Sequence, residues 1–164
     1  MKILDKKLFS KLTVKAFESD RKRTHYNLHS ELTDKTQRLC IAMEPGSYIR
    51  PHRHSKKGKW EVFVVLQGSA SMLTFNNKGE VTDTVLLSEN GPVHVVEVPE
   101  NIWHTLASQE SGTILLEIKP GPYLPLPVKD RAPWSPDEGT DEAVKFEAFF
   151  RSAKKGNSVK DILH

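Results

Sequence analysis

The chain of 164 residues has a single cysteine, Cys40. No intrachain disulfide can form, which fits a reducing compartment and excludes a disulfide-stapled secreted scaffold. A lone thiol also excludes a closed thiolate zinc site, so a metal in this chain has to be held by nitrogen and oxygen. Its ordinary reading is a small buried hydrophobe. No apolar run comes near the roughly 18 residues of a membrane span. Neither sign of charge dominates: 24 Lys and Arg stand against 21 Asp and Glu, for a net charge of +3. That balance is too mild to point to nucleic acid or an acidic membrane. No glycine-rich phosphate loop, nucleophile elbow or zinc-finger spacing is present. The opening Met1-Lys2-Ile3-Leu4-Asp5-Lys6-Lys7 lacks an apolar signal core, so a cytoplasmic protein is expected.

What is present is a chain long enough for one domain with its own core. Residues 5–18 read as a short amphipathic helix capped by Asp5, with Leu8, Phe9, Leu12, Ala16 and Phe17 on one face. Residues 19–36 are polar and irregular, and Arg21-Lys22-Arg23 reads as a solvated loop; residues 1–36 are thus a helix and arm packed on residues 37–119. From 37 to 119 short apolar runs alternate with turn residues. The predicted strands are Gln37–Met43, Ser47–Pro51, Trp60–Leu66, Ser69–Phe75, Val81–Leu87, Val93–Val98, Trp103–Ala107 and Gly112–Lys119. That spacing predicts an all-β sandwich or barrel. Residues 120–139 hold six of the ten prolines and read as an ordered strap. Thr140 caps a second helix running to about Lys155, with Ala143, Phe146, Phe149 and Phe150 on its apolar face; residues 157–164 are expected to be loosely held.

The seven histidines are the chemically informative residues. His52 and His54 are two residues apart on an extended segment, so their side chains share a face. Glu61 begins the next predicted strand, with Phe63 and Val65 on its side. A carboxylate facing an apolar interior is costly unless it is paired or bound to a cation. His104 opens a later strand. Three histidines and one glutamate suit one divalent transition metal with open positions for water or substrate, and the set accepts Fe, Mn, Ni, Zn or Co.

These residues resemble the two motifs of the cupin superfamily. Gly46, His52, His54, Glu61 and Gly68 follow the first motif, except that six residues separate His54 from Glu61. The extra two residues keep strand parity, so Glu61 still faces inward. Pro99, Asn101 and His104 follow the second motif, with Asn101 in place of a glycine, a residue that also tolerates a left-handed turn. Ser108 stands where the family has asparagine. The stretches Asn27-Leu28-His29, Pro51-His52-Arg53-His54, Lys59 to Leu66, Lys119-Pro120-Gly121-Pro122-Tyr123 and Ala132-Pro133-Trp134-Ser135-Pro136 are similar to the WbuC-like cupin-fold metalloproteins. The resemblance implies a double-stranded β-helix or jelly-roll barrel with short terminal helices. It further implies a metal at His52, His54, Glu61 and His104, and a place in O-antigen (lipopolysaccharide) or surface-polysaccharide synthesis. The expected chemistry is isomerisation or epimerisation of a sugar or sugar nucleotide; a metal-dependent dioxygenase and a non-catalytic ligand-binding or sensor cupin are the alternatives.

Other candidates are set by position. Glu61, Tyr48 and Tyr123 are the candidate acids and bases. Parity puts Tyr48 and Arg50 beside His52 and His54 if the strand runs unbroken through Pro51. Arg50, Arg38, Lys119 and His29 are candidate contacts for a sugar derivative or acidic metabolite. Glu117 and Lys119 share a face and can pair with each other. His25 belongs with His29 in the arm; His94 and His164 read as bystanders. Trp60 and Trp103 point away from the interior. Trp60, Val62, Val64 and Leu66 form an apolar outer face, and a homodimer is expected there.

Overall fold

A computed structural model describes residues 1–162; His164 lies outside them. The first helix, α1 (Lys6–Glu18), starts where Asp5 accepts from the Leu8 amide at 2.8 Å. The strands are β1 (Arg23–Asn27), β2 (Thr36–Met43), β3 (Glu61–Gln67), β4 (Ser69–Phe75), β5 (Val81–Ser88), β6 (Val95–Val98), β7 (Trp103–Ser108) and β8 (Thr113–Pro120). The second helix, α2 (Asp141–Ser152), is capped by Thr140. All pairings are antiparallel and form two sheets, ordered β1-β2-β8-β3-β6 and β5-β4-β7. The two sheets face one another as a cupin-type β-barrel. No helix among the described residues is long and apolar enough to cross a membrane.

Three apolar clusters arise from strand alternation. Between the sheets lie Met43, Phe63, Val65, Met72, Leu87, Leu106 and Leu115. On the outer face of the large sheet, Leu12 and Ala16 of α1 cover Cys40, Ala42 and Ile114. On the outer face of the small sheet, Phe146 and Phe150 of α2 cover Leu73, Phe75, Trp103 and Ala107, with Tyr48 and Ala132. The helices cover part of each sheet's outer face, and the charged donors gather at the barrel end where Glu61 of β3, His104 of β7 and Lys119 of β8 meet.

Several local expectations are corrected. Residues 23–27 are not irregular but form edge strand β1, paired with β2, because Tyr26 finds cover beneath α1. Ser47–Pro51 joins no ladder; the next residue, His52, makes isolated bridges to His104 and Arg131. Phe17 is exposed, with Lys22 over its ring. Trp103 is buried instead of lying on a free outer face, because the strap and α2 cover it. The tail is anchored: Val159 is 2% exposed and packs in the α2 cluster. The second helix ends at Ser152, short of Lys155.

Candidate metal centre

The segment Pro51–His54 is held between β7 and the strap. His52 and His104 exchange backbone hydrogen bonds of 3.0 and 2.9 Å, the Ala132 amide donates to Pro51 O, and the Arg53 amide donates to Asp130 O. Asp130 is 3% exposed and accepts from the Ser55 amide and hydroxyl. Arg53 adds an ion pair to Asp130 and lies over the Trp103 ring. Asn101 has φ 66°, the left-handed turn expected of it, and its amide donates to His54 O. Gly68 has φ 72°, and a Cβ there would meet Thr113 Oγ1 at 2.8 Å, so this turn requires glycine. Glu61 opens β3 opposite Val98 and points inward despite the longer loop before it.

The four donors of His52, His54, Glu61 and His104 lie within 4.8 Å of one another. Glu61 is 2% exposed, with Oε2 2.8 Å from His104 Nε2 and Oε1 3.0 Å from both His54 Nε2 and Lys119 Nζ. Burial opposes its charge, but His104, His54 and Lys119 hold the carboxyl well below its ordinary range. At the cavity floor, desolvation and the neighbouring His104 push His52 down to about 3, so it stands as a neutral imidazole. Its Nδ1 is bonded to Arg50 O, which leaves Nε2 for a ligand.

Two observations test whether these residues fit a metal ion. His54 Nε2 is buried and makes no aligned hydrogen bond, although Glu61 Oε1 is near. His104 faces an acceptor at each ring nitrogen: Ile102 O at 2.8 Å from Nδ1, and Glu61 Oε2 at Nε2. A neutral imidazole donates from only one nitrogen. A bound cation would satisfy both His104 and Glu61, with His104 Nδ1 donating to the Ile102 carbonyl as the outer contact of a metal-bound histidine does. The residues fit.

Above the cluster is a cavity of about 890 Å³, lined by Arg50, His52, His54, Lys119 and Tyr123 among others. Of the candidates read from sequence, the structure brings Arg50, Lys119 and Tyr123 to this cavity. Lys119 bridges Glu61 and Glu117. Burial opposes its charge, but Glu117 and Glu61 outweigh that and hold Lys119 above its ordinary value. Burial pushes Glu117 up to about 7 against the pull of Lys119. Arg50 pairs with Asp137 and donates to Ala132 O.

Tyr48, Arg38 and His29 are not among the cavity residues. Tyr48 stacks on Phe150 and donates to Pro136 O, and burial pushes its hydroxyl up. Parity does not carry Tyr48 to the site because residues 47–51 join no ladder. Arg38 pairs with Asp34 at 3.7 Å. His29 is buried and accepts from the Arg38 amide. His94 is exposed where the chain enters β6. Among the lining residues that escaped the sequence reading are Arg21 and Arg23, both paired with Glu138, Asp130, and the basic Lys56, Lys129 and Arg131. The alternation Arg23-Thr24-His25-Tyr26-Asn27 was the available signal for Arg23; nothing in the sequence pointed to Arg21.

Fold and site together define the class: a cupin-fold protein whose three histidines and one glutamate can hold a divalent metal ion. Residues 4–87, just over half of the chain, match the family described as a domain of unknown function, DUF6016. The chain belongs to that family. No curated protein matches it. Among solved structures, a conserved protein of unknown function, SPY1581 from Streptococcus pyogenes, is 19% identical with TM-score 0.50, covering 75% of this chain and 90% of that one. KdgF from Halomonas sp. is 16% identical with TM-score 0.48, over 60% of this chain and 81% of that one. A cupin superfamily protein, DSY2733 from Desulfitobacterium hafniense DCB-2, is 17% identical with TM-score 0.46, over 60% and 76%. At such identities a likeness concerns the fold alone.

Proposed function

We propose that the protein is a metal-dependent enzyme that isomerises or epimerises a small sugar derivative. The observation that carries this reading is the convergence of four buried or half-buried donors beside a cavity of small-molecule size, with His52 and His54 in its lining. A divalent ion bound there supplies a Lewis acid for a carbonyl or hydroxyl oxygen. The protein's own groups do the rest. Glu61 is held ionised and is the carboxylate among the donors able to take a proton, at Oε1. Lys119 keeps its proton and stabilises negative charge beside that oxygen. Tyr123 offers a half-exposed hydroxyl at the rim. The similarity to WbuC-like proteins supports a substrate from O-antigen or surface-polysaccharide synthesis, and the single buried Cys40 supports a cytoplasmic location.

The reaction is tested by incubating metal-loaded protein with sugar phosphates and sugar nucleotides in deuterium oxide and following carbon-bound protons by NMR. Loss of one C–H signal is expected for the substrate. Binding without exchange across the panel would overturn the reaction and leave a ligand-binding cupin.

We also propose a homodimer through the outer face of β3 and β6. Trp60 is 36% and Val95 52% exposed there, beside the half-buried Val62 and Val64. Leu66 is withdrawn beneath α1. Light scattering at micromolar concentration is expected to give twice the chain mass of 18.6 kDa, and a monomeric mass refutes the dimer.

A further inference from the structure

We propose that the cavity takes an organic anion whose phosphate or carboxylate is held by Lys56, Lys129 and Arg131. The inference rests on the cavity being the ligand site of the metal centre. Eight Lys or Arg line it against three Asp or Glu, more positive charge than the net +3 of the whole chain. The three acids are already engaged: Asp137 with Arg50, Glu138 with Arg21 and Arg23, and Asp130 with Arg53. Lys56, Lys129 and Arg131 make no ion pair among the described residues. Lys59 also faces no carboxylate, its ammonium resting on Pro120 O and Pro122 O.

These free cations are placed by the same backbone that places the metal donors. Lys56 comes two residues after His54, and Arg131 lies opposite His52 in a β-bridge. Lys129 precedes Asp130, whose carbonyl accepts from Arg53 between the two histidines. A concave wall of one sign concentrates field lines and recruits the opposite charge. The same cavity has an apolar lining that includes Tyr123, Leu124 and Leu126, with Tyr123 and Leu124 at least half exposed. An inorganic ion leaves that lining unused. A carbon skeleton with one anionic group covers it while its other end reaches the donors.

Titration calorimetry with glucose 6-phosphate, glucuronate, glucose and inorganic phosphate tests this, on the metal-loaded protein at low and raised salt. At least one charged sugar is expected to bind, weakening as salt rises, at least tenfold tighter than glucose or inorganic phosphate. Binding of only glucose 6-phosphate assigns a phosphate ester; binding of only glucuronate assigns a carboxylate. The variant K56E/K129E/R131E, altered only at exposed side chains, is expected to lose at least tenfold in affinity with unchanged metal content. Equal binding of glucose or inorganic phosphate, undiminished affinity in the variant, or no binding of either charged sugar overturns the proposal. Elemental analysis of the same samples keeps the two readings apart. Anion binding in protein that carries no metal would sustain the basic cavity while the metal reading fails. Full metal occupancy without anion affinity would remove this inference alone.

Discussion

Replacing His104 by alanine is expected to lower bound metal from about one ion per chain to roughly a tenth or less, since loss of even an outer contact to a metal ligand typically costs 10–100-fold. His104 is 2% exposed and is the closest partner of Glu61, at 2.8 Å. Without it, one oxygen of a buried carboxylate loses its partner and three donors remain. The change should not unravel β7, because the bonds that join it to His52 are made by backbone atoms. Elemental analysis of wild type and variant purified without added metal, with circular dichroism to confirm the fold, measures the effect. Equal metal in both proteins, or metal well below one per chain in the wild type, would sink the site. Chelation is expected to lower the melting temperature of the wild type and leave the variant unmoved. An ion at about 100 times its dissociation constant stabilises the state that binds it by about 2.7 kcal/mol.

The second large effect is expected from Phe150→Ala. Phe150 is 1% exposed and meets Tyr48, Phe75, Phe146 and Phe149, with ring centroids 5.6 to 6.1 Å apart. Emptying such a site costs about 3–5 kcal/mol, from lost transfer energy plus the remaining cavity. In a chain of this length that is a fall in melting temperature of roughly 6–20 °C. Val144, on the same helix but 68% exposed, is expected to change stability by no more than about 0.5 kcal/mol on truncation. The effect should reach the cavity too, since Tyr48 lies two residues before Arg50. Denaturant melts of the two variants separate the cases. A loss below about 1 kcal/mol for Phe150→Ala would mean that α2 contributes little to holding the small sheet.

The metal donors were legible because they obey short-range rules. His52 and His54 are related by a period of two, and Glu61 by strand parity across a loop of even excess. The helix starts were legible for the same reason, since Asp5 and Thr140 bond to amides three residues on. What stayed hidden depends on partners far away in the chain. Trp103 faces outward as its parity requires, yet α2 and the strap cover that face. Arg21 and Arg23 read as a solvated run because Glu138 is more than a hundred residues away. Parity misplaces Tyr48 because it runs through a stretch that no ladder holds.

The clamping of Pro51–His54 between β7 and the strap sets an order of assembly. Both flanks lie later in the chain, and the strap's contacts come from Asp130, Arg131 and Ala132. Synthesis runs from the N-terminus. A nascent chain that has released α1 through β8 contains the residues of both sheets and all four donors, but not the wall that fixes two of the histidines. Metal capture at full affinity is therefore a late event, completed only once residues near 132 have left the ribosome.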